Sequence, residues 1–173
     1  MGSRKSELRL LRLHRRSLTN LLVLGGTRPQ RTDIALAFHR ESPLRSGPFI
    51  VLYGERDDER LRRALAVRVG ASWDHAAADP LLASEGGTLF FDSFERFSMP
   101  TQRLLLDFVR TAGSGTAPGE NGAWAGRFAA GSDFALDAPL PRAEGDSSPF
   151  LALFDCLDKI RIDLDPVYSG SWA

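Results

Sequence analysis

The sequence has few of the features that mark membrane, secreted or nucleic-acid-binding proteins. It contains one cysteine, Cys156, so it cannot form an internal disulfide, which fits a reducing compartment. No apolar run approaches the length of a transmembrane helix, and none has the form of a signal-peptide core. The formal net charge is zero, so no strong field favours DNA or an anionic membrane. We therefore expect a cytoplasmic protein with neither a membrane nor DNA as a direct partner.

Familiar catalytic constellations are also missing. No Ser-His-Asp or Cys-His arrangement stands out, and His75 has no neighbours at metal-ligand spacing. Cys156 lies in an apolar segment, which is typical of a small core residue rather than a nucleophile. The 173 residues are 43% hydrophobic and 25% charged, enough for one domain with a real core.

Apolar strand-like runs alternate with helical patterns along the chain. The predicted strands are 21–24, 49–53, 88–91, 127–131 and 160–164. Alternation of this kind predicts an α/β fold with a parallel sheet covered on both faces. Residues 1–20 carry leucines at helical spacing with arginines between them, and we expect them to form an amphipathic helix packed on the core. A membrane surface or an acidic partner is the alternative contact for such a basic helix.

Two loops at predicted strand ends carry candidate nucleotide-binding residues. Residues 21–24 run into Gly25-Gly26-Thr27-Arg28-Pro29-Gln30-Arg31-Thr32, and a helix containing 33–39 follows. Strand, glycine turn and helix form the layout of a phosphate-binding loop, in which Gly25, Gly26, Thr27, Gln30, Arg31 and Thr32 would contact the nucleotide. Asp92 ends the central strand, where ligands of open α/β sheets bind, so Thr32 and Asp92 are candidate ligands of a nucleotide-bound magnesium. The alternative is that Asp92 only caps the next turn.

These segments resemble the AAA+ domain of sigma-54-dependent transcriptional activators, the bacterial enhancer-binding proteins. The sequence GGTLFFD at 86–92 is similar to the family's Walker B segment, and HRESPLRSGPFI at 39–50 is similar to its link between the P-loop helix and the second strand. Residues 128–132 stand where the family has its sensor I strand. The resemblance covers about residues 20–167. It implies a three-layer P-loop NTPase fold with a five-stranded parallel sheet in the order 5-1-4-3-2, a domain at 21–168 and a tail at 169–173.

The departures from the family fall on positions that carry its chemistry. Arg28 and Gln30 replace expected glycines, Arg31 replaces the lysine, and Pro29 lacks a backbone donor and is expected to push Arg28 toward an extended conformation. Positive φ angles at unsuitable residues would each cost about 1–3 kcal/mol. Ser93 stands at the position of the water-activating glutamate, and neutral serine cannot act as that base. Glu95 lies two residues further on and is not expected to substitute.

Larger functional elements of the family are missing as well. Residues 150–156 contain no arginine where the resemblance places the arginine finger, and 54–85 contain no GAFTGA loop for sigma-54. The sequence ends before the family's helical lid and helix-turn-helix domain, so we expect no autonomous DNA binding. These losses predict a pseudo-ATPase that acts as an interaction module in transcription regulation, with a protein partner such as an AAA+ relative. The alternative is a Mg-ATP-binding switch with little hydrolysis, and the pattern leaves homo-oligomerisation open.

Overall fold

A computed structural model describes residues 3–68, 79–112, 124–133 and 149–164. Within these ranges the chain forms a five-stranded, all-parallel sheet in the order β2-β3-β4-β1-β5. Read from its other edge, this order is the predicted 5-1-4-3-2. The strands are β1 Leu21–Leu24, β2 Phe49–Tyr53, β3 Thr88–Asp92, β4 Arg127–Ser132 and β5 Ile160–Asp163.

Helices cover the sheet on both faces, as the three-layer prediction requires. They are α1 Ser3–His14, α2 Arg28–Glu41, α3 Asp58–Arg68, α4 Pro80–Ala83, α5 Met99–Ala112 and α6 Pro149–Leu157, with a short 3₁₀-helix at Phe94–Arg96. Helices α1 and α2 pack on the face that carries Leu21, Val23 and Phe90. Helices α3, α4, α5 and α6 pack on the opposite face, which carries Leu22, Leu89 and Phe91. Side chains of each buried strand therefore alternate between two apolar cores.

The amino-terminal helix is shorter than the predicted 1–20 segment and only partly buried. It ends at His14, and Leu10 and Leu11 pack against the core beneath α2. Leu8 and Leu13 are exposed. The predicted domain boundaries at 168 and 169 lie outside the described residues. In the described part of the chain, no helix is long and apolar enough to cross a membrane.

The start of α2 differs from the sequence prediction. The helix begins at Arg28 rather than near Asp33, so Arg28 is helical and the expectation that Pro29 would hold it extended is wrong. Thr27 is the extended N-cap residue, and Pro29 lies in the first helical turn, where its missing N–H has no intrahelical partner to lose. Only Gly25 and Gly26 have positive φ in this loop, so Arg28 and Gln30 carry none of the expected backbone strain.

Candidate functional site

The candidate site lies at the carboxyl edge of the sheet, beneath the first turn of α2. Strand register places Asp92 beside Gly131 of β4 and beside Tyr53 of β2. Asp92 follows Phe90 at a spacing of two residues, so its side chain points to the face that α2 covers. Its carboxylate is fully buried. The Asp92 side chain therefore lies beside the turn from β1 into α2.

Arg31 of α2 fills the space between that turn and Asp92. Its Nε and Nη2 donate to Asp92 Oδ1 at 2.6 Å and to Oδ2 at 3.1 Å. Its Nη1 donates to the carbonyl oxygens of Gly25 and Gly26, both at 3.0 Å. Asp133 Oδ1 lies 2.8 Å from Nη2. Burial lowers the Arg31 pKa, but hydrogen bonds and attraction to Asp92 and Asp133 raise it further, so the net shift is upward.

Arg28 completes what we call the arginine–aspartate cluster, formed by Arg28, Arg31, Asp92 and Asp133. Arg28 Nε donates to Asp92 Oδ2 at 3.1 Å, and its guanidinium lies over the Tyr53 ring at 4.7 Å. In contrast to Arg31, the Arg28 side chain is 44% exposed. The two buried oxygens of Asp92 thus receive three hydrogen bonds, all from arginines. This excludes the alternative that Asp92 merely caps the next turn.

The backbone donors at the start of α2 are also used within the protein. The Thr27 hydroxyl accepts from the Gln30 N–H at 3.3 Å, and the Gln30 side chain accepts from the Thr27 N–H at 2.8 Å. This reciprocal pair is a capping box, which satisfies helix N-terminal donors that would otherwise be free. Thr32 Oγ1 donates to the Arg28 carbonyl at 3.0 Å. The hydroxyl predicted to face magnesium therefore has a partner in its own helix.

Glycine at position 131 makes room for the ion pair. A Cβ atom there would lie 2.5 Å from Asp92 Oδ1 and 3.1 Å from Arg31 Cδ. The 2.5 Å distance is incompatible with the observed positions, because non-bonded carbon and oxygen atoms do not approach so closely, and the 3.1 Å distance would require a small movement of Arg31. Asp92 and Arg31 can therefore lie this close to the β4 backbone only because residue 131 has no side chain.

A second carboxyl group lies beside the cluster. Glu95, on the 3₁₀-helix, is 11% exposed, and its Oε2 is buried without a hydrogen-bond partner. Burial is the main reason that the Glu95 pKa is raised, although a hydrogen bond from Ser132 opposes the shift. Ser93, between the two acids, has φ of 54° in the left-handed region and is fully buried. Sequence reasoning noted Glu95 but missed its proximity to Ser132 at the end of β4.

Comparison with solved structures identifies the fold. NtrX from Brucella abortus in complex with ATP matches at a TM-score of 0.71 and 15% identity, over 94% of this chain and 37% of that chain. The P-loop NTPase domain of a sigma-54 activator from E. coli matches at 0.56 and 15%, over 94% of both chains. This chain has that P-loop NTPase fold. RuvB from Thermotoga maritima, a Holliday junction branch migration motor, matches at 0.54 and 16%, over 95% and 44%.

The likeness is one of architecture, and the chain spans 37% of the length of the NtrX chain. No protein-family model matches the sequence, and no curated protein matches it significantly. The strand order is that of the P-loop NTPase fold. Whether the site can bind nucleotide therefore depends on the side chains that this chain carries there.

Those side chains do not fit magnesium-bound nucleotide as they are arranged here. The guanidinium of Arg31 lies against Asp92 and the Gly25 and Gly26 carbonyls, where a phosphate cradle requires free N–H donors. Asp92 accepts from arginines, and Thr32 donates within its helix, so both predicted magnesium ligands have protein partners. Among the residues that the structure describes, no group of three or more His, Cys, Asp or Glu could hold a metal ion.

Proposed function

We propose that the chain is a catalytically impaired P-loop module, related to sigma-54 activator domains, that regulates transcription through a protein partner. The main support for this proposal is that the Arg31 guanidinium already neutralises the Asp92 carboxylate in the predicted nucleotide site. A phosphate would have to displace a buried guanidinium from Asp92 and two carbonyls before it could contact the loop. Binding energy would therefore be spent on breaking charge-assisted hydrogen bonds, which are about twice as strong as neutral ones.

The catalytic groups support the same proposal. Ser93 stands where a general base would be, and general-base catalysis contributes about 10²–10⁴ in rate. Helix α6 presents Phe150, Leu153 and Phe154 to the core in the region where the resemblance implied an arginine finger. An arginine finger contributes about 10³–10⁵ in nucleotide hydrolases. Loss of both would leave hydrolysis far below the rate of an active relative.

A nucleotide-binding switch is the second candidate function. It is favoured by Gly25 and Gly26, whose φ angles of 76° and 62° suit a loop that turns its N–H groups toward an anion. In this case Arg31 would leave Asp92 and move to the phosphates on binding, and Thr32 and Asp92 would hold the magnesium. Solved neighbours contain ATP and ADP, in NtrX from Brucella abortus.

Calorimetric titration of Mg-ATP and Mg-ADP into the purified chain separates the two functions. The impaired module predicts no binding heat up to millimolar nucleotide from a cooperatively folded protein. The switch predicts measurable affinity that is lost in Arg31→Ala and Asp92→Ala but kept in Arg40→Ala, which removes an exposed arginine at the far end of α2. Phosphate release at the rate of an ordinary AAA+ enzyme, with contamination excluded, would overturn both.

A further inference from the structure

A second buried arginine lies at the opposite, amino-terminal edge of the sheet. Arg127 begins β4 and is only 1% exposed. Its Nε donates to the Thr19 carbonyl at 2.8 Å, and its guanidinium lies 5.5 Å from the centre of the Phe38 ring. Its Nη1 and Nη2 are buried and have no hydrogen-bond partner within the described part of the chain. This contrasts with Arg31, on the same face of the sheet, whose nitrogens are all paired.

The surroundings do not neutralise Arg127. Burial lowers its pKa to about 10, which still leaves it charged at neutral pH. The neighbouring His39 uses both ring nitrogens elsewhere, with Thr88 Oγ1 at 2.9 Å and the Gly47 carbonyl at 3.1 Å. Within the described ranges no carboxylate forms an ion pair with Arg127. A buried charge without a counter-charge is expensive, so the site is arranged for an anion that the described residues do not supply.

The geometry of the free nitrogens selects the type of anion. Two adjacent N–H groups of a guanidinium match the two oxygens of a carboxylate or phosphate in a bidentate contact. Burial lowers the His39 pKa, and the charges of Arg127 and Arg40 lower it as well, although the hydrogen bond with the Gly47 carbonyl opposes the shift. The neutral form of this ring is therefore favoured, and Arg127 is the one buried cation described at this position. A monoanion would balance the site, whereas a phosphate dianion would leave a net negative charge buried. A carboxylate is therefore the better fit.

The segment that covers the Arg127 Nε carries no acidic side chain. Thr19, which contacts its Nε, is exposed and belongs to the segment between α1 and β1. Residues 8–32 contain no Asp or Glu. The helix that precedes this segment carries what we call the basic α1 surface, which consists of exposed leucines and arginines: Leu8, Leu13, Leu18, Arg9, Arg12, Arg15 and Arg16. An acidic and apolar segment complements this surface in both charge and polarity.

We propose that Arg127 binds a carboxylate from an acidic segment of a partner protein, which docks on the basic α1 surface and inserts one acidic side chain beneath residues 17–20. The site is separate from the P-loop edge and does not depend on nucleotide binding. Partner binding here would place an acidic chain against α2 at Phe38 and His39, the end opposite Arg31.

Formate and hexaglutamate serve as probes for the carboxylate and for its protein source. At matched ionic strength, formate should raise the Tm of the full chain above that in chloride by about 3–5 °C at ten times its dissociation constant. The difference should vanish in Arg127→Met and persist in Arg103→Met, which removes an exposed arginine from α5. Hexaglutamate should bind at least about tenfold more tightly than formate because it also contacts the basic α1 surface.

Three outcomes would overturn the proposal. Equal effects of formate and chloride would mean that only adventitious ions bind. A strong loss of stability in Arg127→Met, together with no effect of formate on the wild-type chain, would mean that the chain's own carboxylates fill the site. Binding of formate without a gain for hexaglutamate would exclude an acidic protein segment as the source. If Arg127→Met does not fold, ¹⁵N-arginine NMR of the wild-type chain replaces it, and a buried Nε–H resonance that ignores formate would refute the site.

Discussion

Removal of the Arg31 guanidinium should destabilise the fold strongly, and Arg31→Met tests this. The substitution deletes two hydrogen bonds to Asp92 and two to the Gly25 and Gly26 carbonyls. The lost contact with Asp133 matters less, because that side chain is 49% exposed and water replaces the arginine. The decisive loss is at Asp92, which is fully buried and keeps only the half-exposed Arg28 as a cationic partner.

Breaking a buried pair by removing one partner typically costs 3–5 kcal/mol, roughly, since the other charge remains buried. We expect the lower end, about 3 kcal/mol, because Arg28 still donates to Asp92 Oδ2. Arg28→Met removes a partly exposed cation and should cost about 1 kcal/mol or less. The double variant Arg31→Met/Asp92→Asn carries no orphan carboxylate, so it should lose less free energy than Arg31→Met alone.

Urea unfolding followed by tryptophan fluorescence measures these differences. Trp124 is a suitable reporter because it is 4% exposed and stacks on Phe128 with ring centroids 4.6 Å apart. If Arg31→Met lowers the free energy of unfolding by less than about 1 kcal/mol, the argument that Arg31 and Asp92 form a tightly coupled buried pair is refuted. If the losses in the single variants Arg31→Met and Asp92→Asn simply add up in the double variant, the argument is refuted equally.

Other predictions concern the cap and two buried titratable groups. Thr27→Ala should lower the free energy of unfolding by about 1 kcal/mol through loss of the capping box, while Thr27→Ser should restore most of it. Burial raises the Glu95 pKa above its ordinary value of 4.5, so its stabilising contribution is complete below that pH and is lost as pH rises through the raised pKa. At neutral pH, Glu95→Gln should therefore be more stable than wild type by about 1 kcal/mol. At low pH the substitution should gain little. Equal stability of the two proteins in urea unfolding at neutral pH would contradict this prediction. Burial and the charge of Arg127 lower the His39 pKa below 6.5, so wild-type stability should fall as pH drops through that value. His39→Gln should remove this pH dependence from thermal unfolding curves, and an unchanged slope would contradict the assignment.

The strands could be predicted from the sequence because buried parallel strands are continuous apolar runs. Residues 21–24 and 49–53 match β1 and β2 at both ends, and the others differ by a single residue at one end. Periodicity alone did not order the strands, because pairing depends on contacts between distant segments. That order came from the resemblance at 39–50 and 86–92, and the structure confirms it.

The site was harder to predict than the fold because its main contacts join charged residues that are far apart in the sequence. Sequence position placed Arg31 and Asp92 at one edge of the sheet, but it assigned both to a nucleotide rather than to each other. The Thr27-x-x-Gln30 spacing is a capping-box pattern and could have located the start of α2. The same residues also fit the spacing of a phosphate loop, so the sequence alone does not separate the two interpretations. The unpaired Nη1 and Nη2 atoms of Arg127 had no sequence signal, since they depend on how the described side chains are arranged around them in the fold.

Gly131 offers a way to separate shape from charge at the P-loop edge. A methyl group at this position would collide with Asp92 and press against Arg31, although the substitution removes no ionisable residue. Gly131→Ala should therefore push the two side chains apart without changing the net charge of the site. If nucleotide affinity then rises, steric closure by Arg31 is what excludes the phosphate. If affinity does not change, the chemistry of the altered loop is the barrier, and opening the site is not sufficient to restore it.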